Sequence, residues 1–113
     1  MSFVYLASPY SHPLDNVRSE RFRQAVAAAD YQMHRGEIVF SPIAHSHPID
    51  KLSRYAKRDH EFWMRQCIGM LRMADKLLVL DIDGWHDSKG VTQEIELARA
   101  MQIPVVHIDQ KEL

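Results

Sequence analysis

The chain has 113 residues, 46% of them hydrophobic and 26% charged, which suits one globular domain with a modest core rather than a disordered or fibrous chain. A formal net charge of −1 gives no footing for general nucleic-acid or anionic-membrane binding, and the single cysteine, Cys67, excludes an intrachain disulfide framework and a cysteine-rich zinc site. Neither a signal-peptide pattern nor an apolar run of membrane length occurs, which predicts a soluble cytoplasmic protein.

The first segment, SFVYLASPYSHP, begins as a short apolar run and ends in Ser, Pro and His. It predicts a buried strand over residues 2–7 that empties into a loop. From Leu14 to Arg35 the spacing is helical, with Phe22, Val26, Ala29 and Met33 on one face and Gly36 as the stop. EIVFSPIAHSHPI repeats the first theme: a strand over Ile38 to Phe40, then Ser-Pro and a histidine-bearing loop. The stretch from Tyr55 to Met73 predicts a helix, with Phe62, Cys67 (or Gln66), Met70 and Met73 near one face. Leu77 to Leu80 form the clearest strand, apolar throughout as a strand covered on both faces should be. A helix within DSKGVTQEIELARA follows, and IPVVHID closes with a fourth strand.

Strands and helices in alternation imply a parallel sheet with helices on both faces. Right-handed crossovers then predict a flavodoxin-like or Rossmann-like α/β three-layer sandwich, strand order 2-1-3-4, with residues 1–113 as one domain. Ligands of such sheets bind beyond the carboxyl ends of the strands. Those ends carry SPYSH, SPIAHSH and DIDGWHDS, all rich in hydroxyl, imidazole and carboxylate groups.

Glu94 is the anomaly. On a helical wheel it falls inside the stripe formed by Val91, Ile95, Ala98 and Met101, whereas Glu96 and Arg99 point elsewhere. A carboxylate on a buried face must be paired, protonated or employed. It is either a nucleophile or acid/base, or a core carboxylate satisfied by Tyr, Arg or backbone. Tyr5, in the middle of an apolar strand, needs a partner for its hydroxyl, and Glu94 would suit, although the residues alone favour a core aromatic whose hydroxyl reaches the surface. Ser8 and Ser11 precede a helix whose free N–H groups attract anions, although helix capping explains serines there as well. His45 and His47 would bind a metal on an extended segment only if both faced one side; a structural or substrate-contacting role is preferred, and no metal is expected. His12, His34, His60 and His107 read as surface or partly packed residues. Asp81, Asp83, Trp85 and Asp87 follow the third strand, where carboxylates suit sugar hydroxyls and an exposed Trp suits a base, or where DIDGW simply turns the chain. RYAKRDHEFWMR reads as a solvated helix start, with Arg54, Lys57 and Arg58 available to a phosphate.

VYLASPY in the first strand, ADKLLVLD in the third and then the Ser88-x-Gly90-Val91-x-x-Glu94-Ile95 segment together resemble the nucleoside 2-deoxyribosyltransferase superfamily. Within it, the SPYSHP, FSPIAHSHPI and GWHDSKGV segments look like a short branch akin to the 2′-deoxynucleoside 5′-phosphate N-hydrolases. The resemblance runs in order along most of the chain, and its specific motif is Gly90 to Glu94. It implies that Glu94 attacks the anomeric carbon of a nucleoside, with Tyr5 orienting it. Ser88, six residues before the glutamate, follows the hydrolases, in which a serine contacts a 5′-phosphate; the transferases have an aspartate there. Where the hydrolases carry an acid to the leaving base, this chain has Cys67, so that Asp59, His45 or Asp83 would have to substitute, or the base would leave without that help.

The expectation is therefore an N-glycosidase that cleaves the base–sugar bond of a nucleoside or deoxynucleoside 5′-monophosphate. Glu94 and Tyr5 would be catalytic, and Ser8, Pro9, Tyr10, Ser11, His45, Asp83, Trp85, Ser88 and Gly90 would contact substrate. Base exchange between deoxynucleosides, or nucleotide sensing without turnover, are the alternatives. No cofactor and no nucleic-acid or membrane partner is expected. Chain size and the resemblance predict a homodimer or higher homo-oligomer.

Overall fold

The computed structural model describes residues 2–109 and 111. Residues 1, 110, 112 and 113, which the single-domain reading also takes in, lie outside the described residues. Four strands, β1 (Val4–Ala7), β2 (Val39–Phe40), β3 (Lys76–Asp81) and β4 (Val105–Asp109), form one parallel sheet in the order β2-β1-β3-β4. The helices are α1 (Asp15–His34), α2 (Pro42–Leu52), α3 (His60–Leu71) and α4 (Lys89–Ala100), and a single 3₁₀ turn, Trp85–Asp87, leads into α4. The α/β fold and the strand order are those predicted from the sequence.

Period-two alternation along the strands sorts the core into two layers. Val4, Leu6, Leu78 and Leu80 face α1, against Ala28 and Ala29. Tyr5, Ala7, Leu77 and Val79 face the other way, against Leu71 of α3 and Val91 and Ala98 of α4. In register, Tyr5 sits between Phe40 of β2 and Leu77 of β3. Tyr5 thus rises from the middle of the sheet on the α3/α4 side.

Three expectations change. SPIAHSHPI is not a loop but most of α2. Ser41 caps the helix by accepting from the Ala44 N–H at 3.2 Å, and Pro42 occupies the first turn, where its missing donor costs nothing. Pro48, which argues for a loop, is accommodated inside the helix. Secondly, α3 begins at His60 rather than Tyr55, because Asp59 caps it through the Phe62 N–H at 2.9 Å. Thirdly, α1 buries Ala25, Ala28, Ala29 and Gln32, leaving Val26 and Met33 about half exposed. Ala25, Ala28, Ala29 and Gln32 form their own i, i+3, i+4, i+7 stripe, and the small size of the alanines lets α1 pack closely on the sheet.

Candidate active site

The site begins with one contact. The Tyr5 hydroxyl donates to Oε2 of Glu94, joining β1 to α4 across 89 positions of sequence. Tyr5 has no exposed surface and Glu94 only 5%. Glu94 is brought there because α4 buries positions 91, 94 and 98, one helical stripe, against the layer that contains Tyr5.

Burial disfavours the charged carboxylate and pushes the Glu94 pKa up to about 7, while the Tyr5 hydrogen bond opposes the rise by favouring the anion. Tyr5 is held far above the ordinary phenol range by burial and then by the negative charge of Glu94, so it remains a donor. Cys67 packs against the same cluster from α3. Burial first, and the Glu94 charge second, push its thiol up to about 11, which keeps it protonated and unreactive at neutral pH. A carboxylate poised near neutrality beside a fixed donor can attack an electrophilic carbon or shuttle a proton.

Phe40 extends this wall. Its ring centroid lies 5.8 Å from that of Tyr5 and 5.6 Å from that of His45, so His45 reaches the cluster through an aromatic neighbour. The two histidines of the H-x-H pair diverge, because two residues along a helix is more than half a turn. His47 is buried, stacks on Phe22 at 4.1 Å and meets the Tyr10 hydroxyl at 2.6 Å through Nδ1, whereas His45 is exposed. Burial, first among several influences, lowers the His47 pKa and favours its neutral form. Tyr10 is thus engaged in fastening the loop after β1 to α2. Among the described residues no group of three His, Cys, Asp or Glu is placed to share a metal ion.

Of the other site residues predicted from sequence, Ser8 is 5% exposed and its Oγ has no hydrogen-bond partner among the described residues, while Pro9 is fully buried beside it. Neither Ser8 nor Ser11 caps α1, whose N-cap is Leu14 without a side-chain bond. Ser88 is the N-cap of α4, its Oγ accepting from the Val91 N–H at 3.2 Å. At Gly90 an added Cβ would find only ordinary contacts, 3.8 Å from the Met64 sulfur at the nearest, so packing within the chain does not demand glycine there. Asp83 is exposed. Trp85 packs on the Tyr5 layer and edge-on to His107 at 4.9 Å. Asp81 is occupied by His107 Nδ1 at 2.7 Å. Asp59, a candidate for the missing acid, is committed to capping α3.

Sequence reasoning missed Arg21. Its guanidinium donates to the Ser11 carbonyl at 2.9 Å, the Tyr10 carbonyl at 3.5 Å and the Asp83 carbonyl at 3.4 Å, tying the loop after β1 to the loop after β3. Backbone acceptors leave no signature in side-chain identity, so no pattern announces the clamp. Gly84 completes it, with φ at +90° and a position at which a Cβ would run into the Arg21 guanidinium. Gly84→Ala is therefore expected to destabilise the fold by about 1–3 kcal/mol, from left-handed backbone strain and displacement of the clamp. Chemical denaturation checks it; an unchanged midpoint would show that the clamp is not needed.

Two surface hollows, of about 550 Å³ between α3 and α4 and about 300 Å³ beside β2, are lined by neither Tyr5 nor Glu94. No helix among the described residues is long and apolar enough to cross a membrane.

A family model described as a domain of unknown function (DUF1937) matches residues 2–110. No curated protein matches the chain in sequence. Among solved structures, a 2-deoxyribosyltransferase from the psychrotolerant bacterium Bacillus psychrosaccharolyticus superposes with a TM-score of 0.69 at 21% identity, covering 96% of this chain and 72% of that one. A likeness at this identity establishes a shared fold. With residues 2–110 matched, the chain belongs to the DUF1937 family, and its parallel sheet is folded as in a 2-deoxyribosyltransferase.

Proposed function

We propose that this protein is an N-glycosidase that cleaves the base–sugar bond of a nucleoside or deoxynucleoside 5′-monophosphate, with Glu94 as nucleophile and Tyr5 as its positioning residue. The observation that carries the reading is the buried hydrogen bond from the Tyr5 hydroxyl to Glu94 Oε2, on the helix that follows the third strand of a 2-1-3-4 sheet. In the reaction, a Glu94 oxygen forms a bond to the anomeric carbon as the C–N bond breaks and its electron pair departs with the base, which takes up a proton. Water then attacks the same carbon, loses a proton, and releases the sugar from Glu94 as the carboxylate is regenerated. Cationic character at the sugar carbon is stabilised by the facing carboxylate. A substrate lacking the 2′-hydroxyl forms that cation more readily, so few assisting groups are required.

Glu94 is 5% exposed, so productive binding requires the side chains around the carboxylate to yield. Ser8, with its buried and unsatisfied hydroxyl, is the polar contact that a substrate oxygen would complete. Ser11, Ser88 and Gly90 would border the sugar phosphate, and His45, Asp83 and Trp85 the base. His45 is the candidate proton donor to the leaving base, through its place beside Phe40.

The experiment is incubation with a panel of nucleosides and nucleoside 5′-monophosphates, with and without the 2′-hydroxyl, followed by chromatography for free base. Release of a base from a 5′-monophosphate supports the reading. Product formed only when a second base is added would identify base exchange instead, and tight binding with no product would identify a sensing role.

A further inference from the structure

β3 and β4 carry a polar pair near their carboxyl ends, separate from the Tyr5–Glu94 contact. In register His107 lies beside Val79, so its side chain stands on the same face of the sheet as Tyr5, Ala7 and Val79. Asp81, two residues beyond Val79, shares that face. The His107 imidazole meets Asp81 Oδ1 through Nδ1 at 2.7 Å. A carboxylate only accepts, so Nδ1 carries the hydrogen and the imidazole is fixed in its orientation. That ring lies edge-on to Trp85, with centroids 4.9 Å apart and planes at 62°.

Trp85 is therefore held from two sides, by the Tyr5 layer on one and by the anchored imidazole on the other. Its own backbone exerts less control. The turn Trp85–Asp87 is three residues long, starts from the left-handed Gly84 and has no side-chain bond at that cap. His86 also lies edge-on to Trp85, at 5.5 Å, but it and Asp87 are largely solvated and 3.8 Å apart, too loose to hold a ring in place. The His107 and Asp81 side chains are 36% and 27% exposed, and a pair this open adds little to stability. What it fixes is orientation. An indole already held in place loses little freedom when a second flat ring stacks on it, so less of the stacking attraction is spent on ordering. Building on the reading of Trp85 as a neighbour of the base, we propose that His107, anchored by Asp81, is the positioning residue of Trp85. This clamp sets the affinity for the base of a nucleotide by keeping the indole ready to stack.

The chain has two tryptophans, so Trp63→Phe leaves Trp85 as the sole indole fluorophore. Time-resolved anisotropy then reads the motion of that indole directly, with no ligand present. The parent should show only the slow tumbling of the whole chain, and His107→Ala and Asp81→Ala should each add a fast local decay. Titration with the four nucleoside 5′-monophosphates and their 2′-deoxy counterparts, in a Glu94→Gln background that prevents turnover, reads stacking as quenching of Trp85. Each single variant should weaken the tightest of these on the order of tenfold. The double variant should lose no more, because the two residues act as one unit. Circular dichroism confirms that each variant is folded. An indole equally rigid in both single variants overturns the proposal, as do single losses that add in the double. Trp85 emission indifferent to every nucleotide also overturns it, and would leave the proposed reaction standing wherever base is still released. Quenching that follows the predicted pattern, with no base released by the protein that retains Glu94, would sustain the clamp and remove the reaction.

Discussion

Glu94→Gln is expected to abolish base release, by on the order of 10⁴-fold or more, while leaving the protein folded and more stable at alkaline pH. The two effects share one cause. An amide cannot form the glycosyl ester, so the reaction loses its nucleophile. The same amide has no charge to desolvate, so burial no longer opposes it. In the wild type the folded pKa of about 7 lies above the ordinary 4.5, so the folded state binds a proton more tightly than the unfolded chain. Stability from this group is therefore fully present below about pH 4.5, falls as pH rises, and is lost above about 7, a cost of roughly 3 kcal/mol. The stability gained by Glu94→Gln should then be small at pH 5 and approach that figure at pH 8. Urea denaturation of both proteins at the two pH values reads it directly. A variant less stable than wild type at pH 8 would mean that the carboxylate is a satisfied structural group. A buried acid kept at a stability cost is the pattern of a functional site.

Tyr5→Phe is the second large expected effect. Removing the hydroxyl removes the donor that favours the Glu94 anion, so the carboxylate becomes still harder to ionise. Because the nucleophile works only when deprotonated, the wild-type profile of kcat/KM should rise with pH through about 7. In Tyr5→Phe that rising limb should move to higher pH, and the rate at neutral pH should fall on the order of 100-fold. Stability should drop by about 1–3 kcal/mol at pH 8, where the anion loses its partner, and by less at pH 5, where the acid is neutral. A general packing defect would lower stability equally at both pH values and leave the limb in place. Rate measurements across pH, beside denaturation at two pH values, therefore separate positioning from packing.

How much of this was legible in the sequence differs from element to element. β1 and β3 announce themselves as apolar runs because both of their faces are covered, and their placement in the centre of the sheet follows from that. Glu94 is legible because a charge inside an apolar stripe breaks a pattern; for Tyr5 the strand pattern alone favoured a hydroxyl at the surface, and its buried bond to Glu94 was favoured only by the resemblance. The orientation of α1 was not legible. Its alanine stripe competes with the larger Val26 and Met33, and the tight packing that decides between them is a property of the sheet beneath. The helix over SPIAHSHPI was hidden by Pro48, a strong local signal overridden by the capping of Ser41 and by burial of Pro42 and His47. Cys67 illustrates a different limit. The resemblance marked it as standing where the 2′-deoxynucleoside 5′-phosphate N-hydrolases have an acid, but only tertiary packing shows that it adjoins the Tyr5 layer with a protonated thiol. Arg21 lies furthest out of reach, since its partners are three carbonyl groups, one of them 62 positions away.

The central claim is that Glu94 bonds to the sugar. Rapid acid quenching of the wild type during turnover of the best substrate, followed by peptide mass spectrometry, tests it most directly. The predicted result is a sugar adduct, of the substrate's mass less its base, on the peptide containing Glu94 and absent from Glu94→Gln. Steady release of base with no adduct on that peptide, and at an undiminished rate in Glu94→Gln, would contradict it.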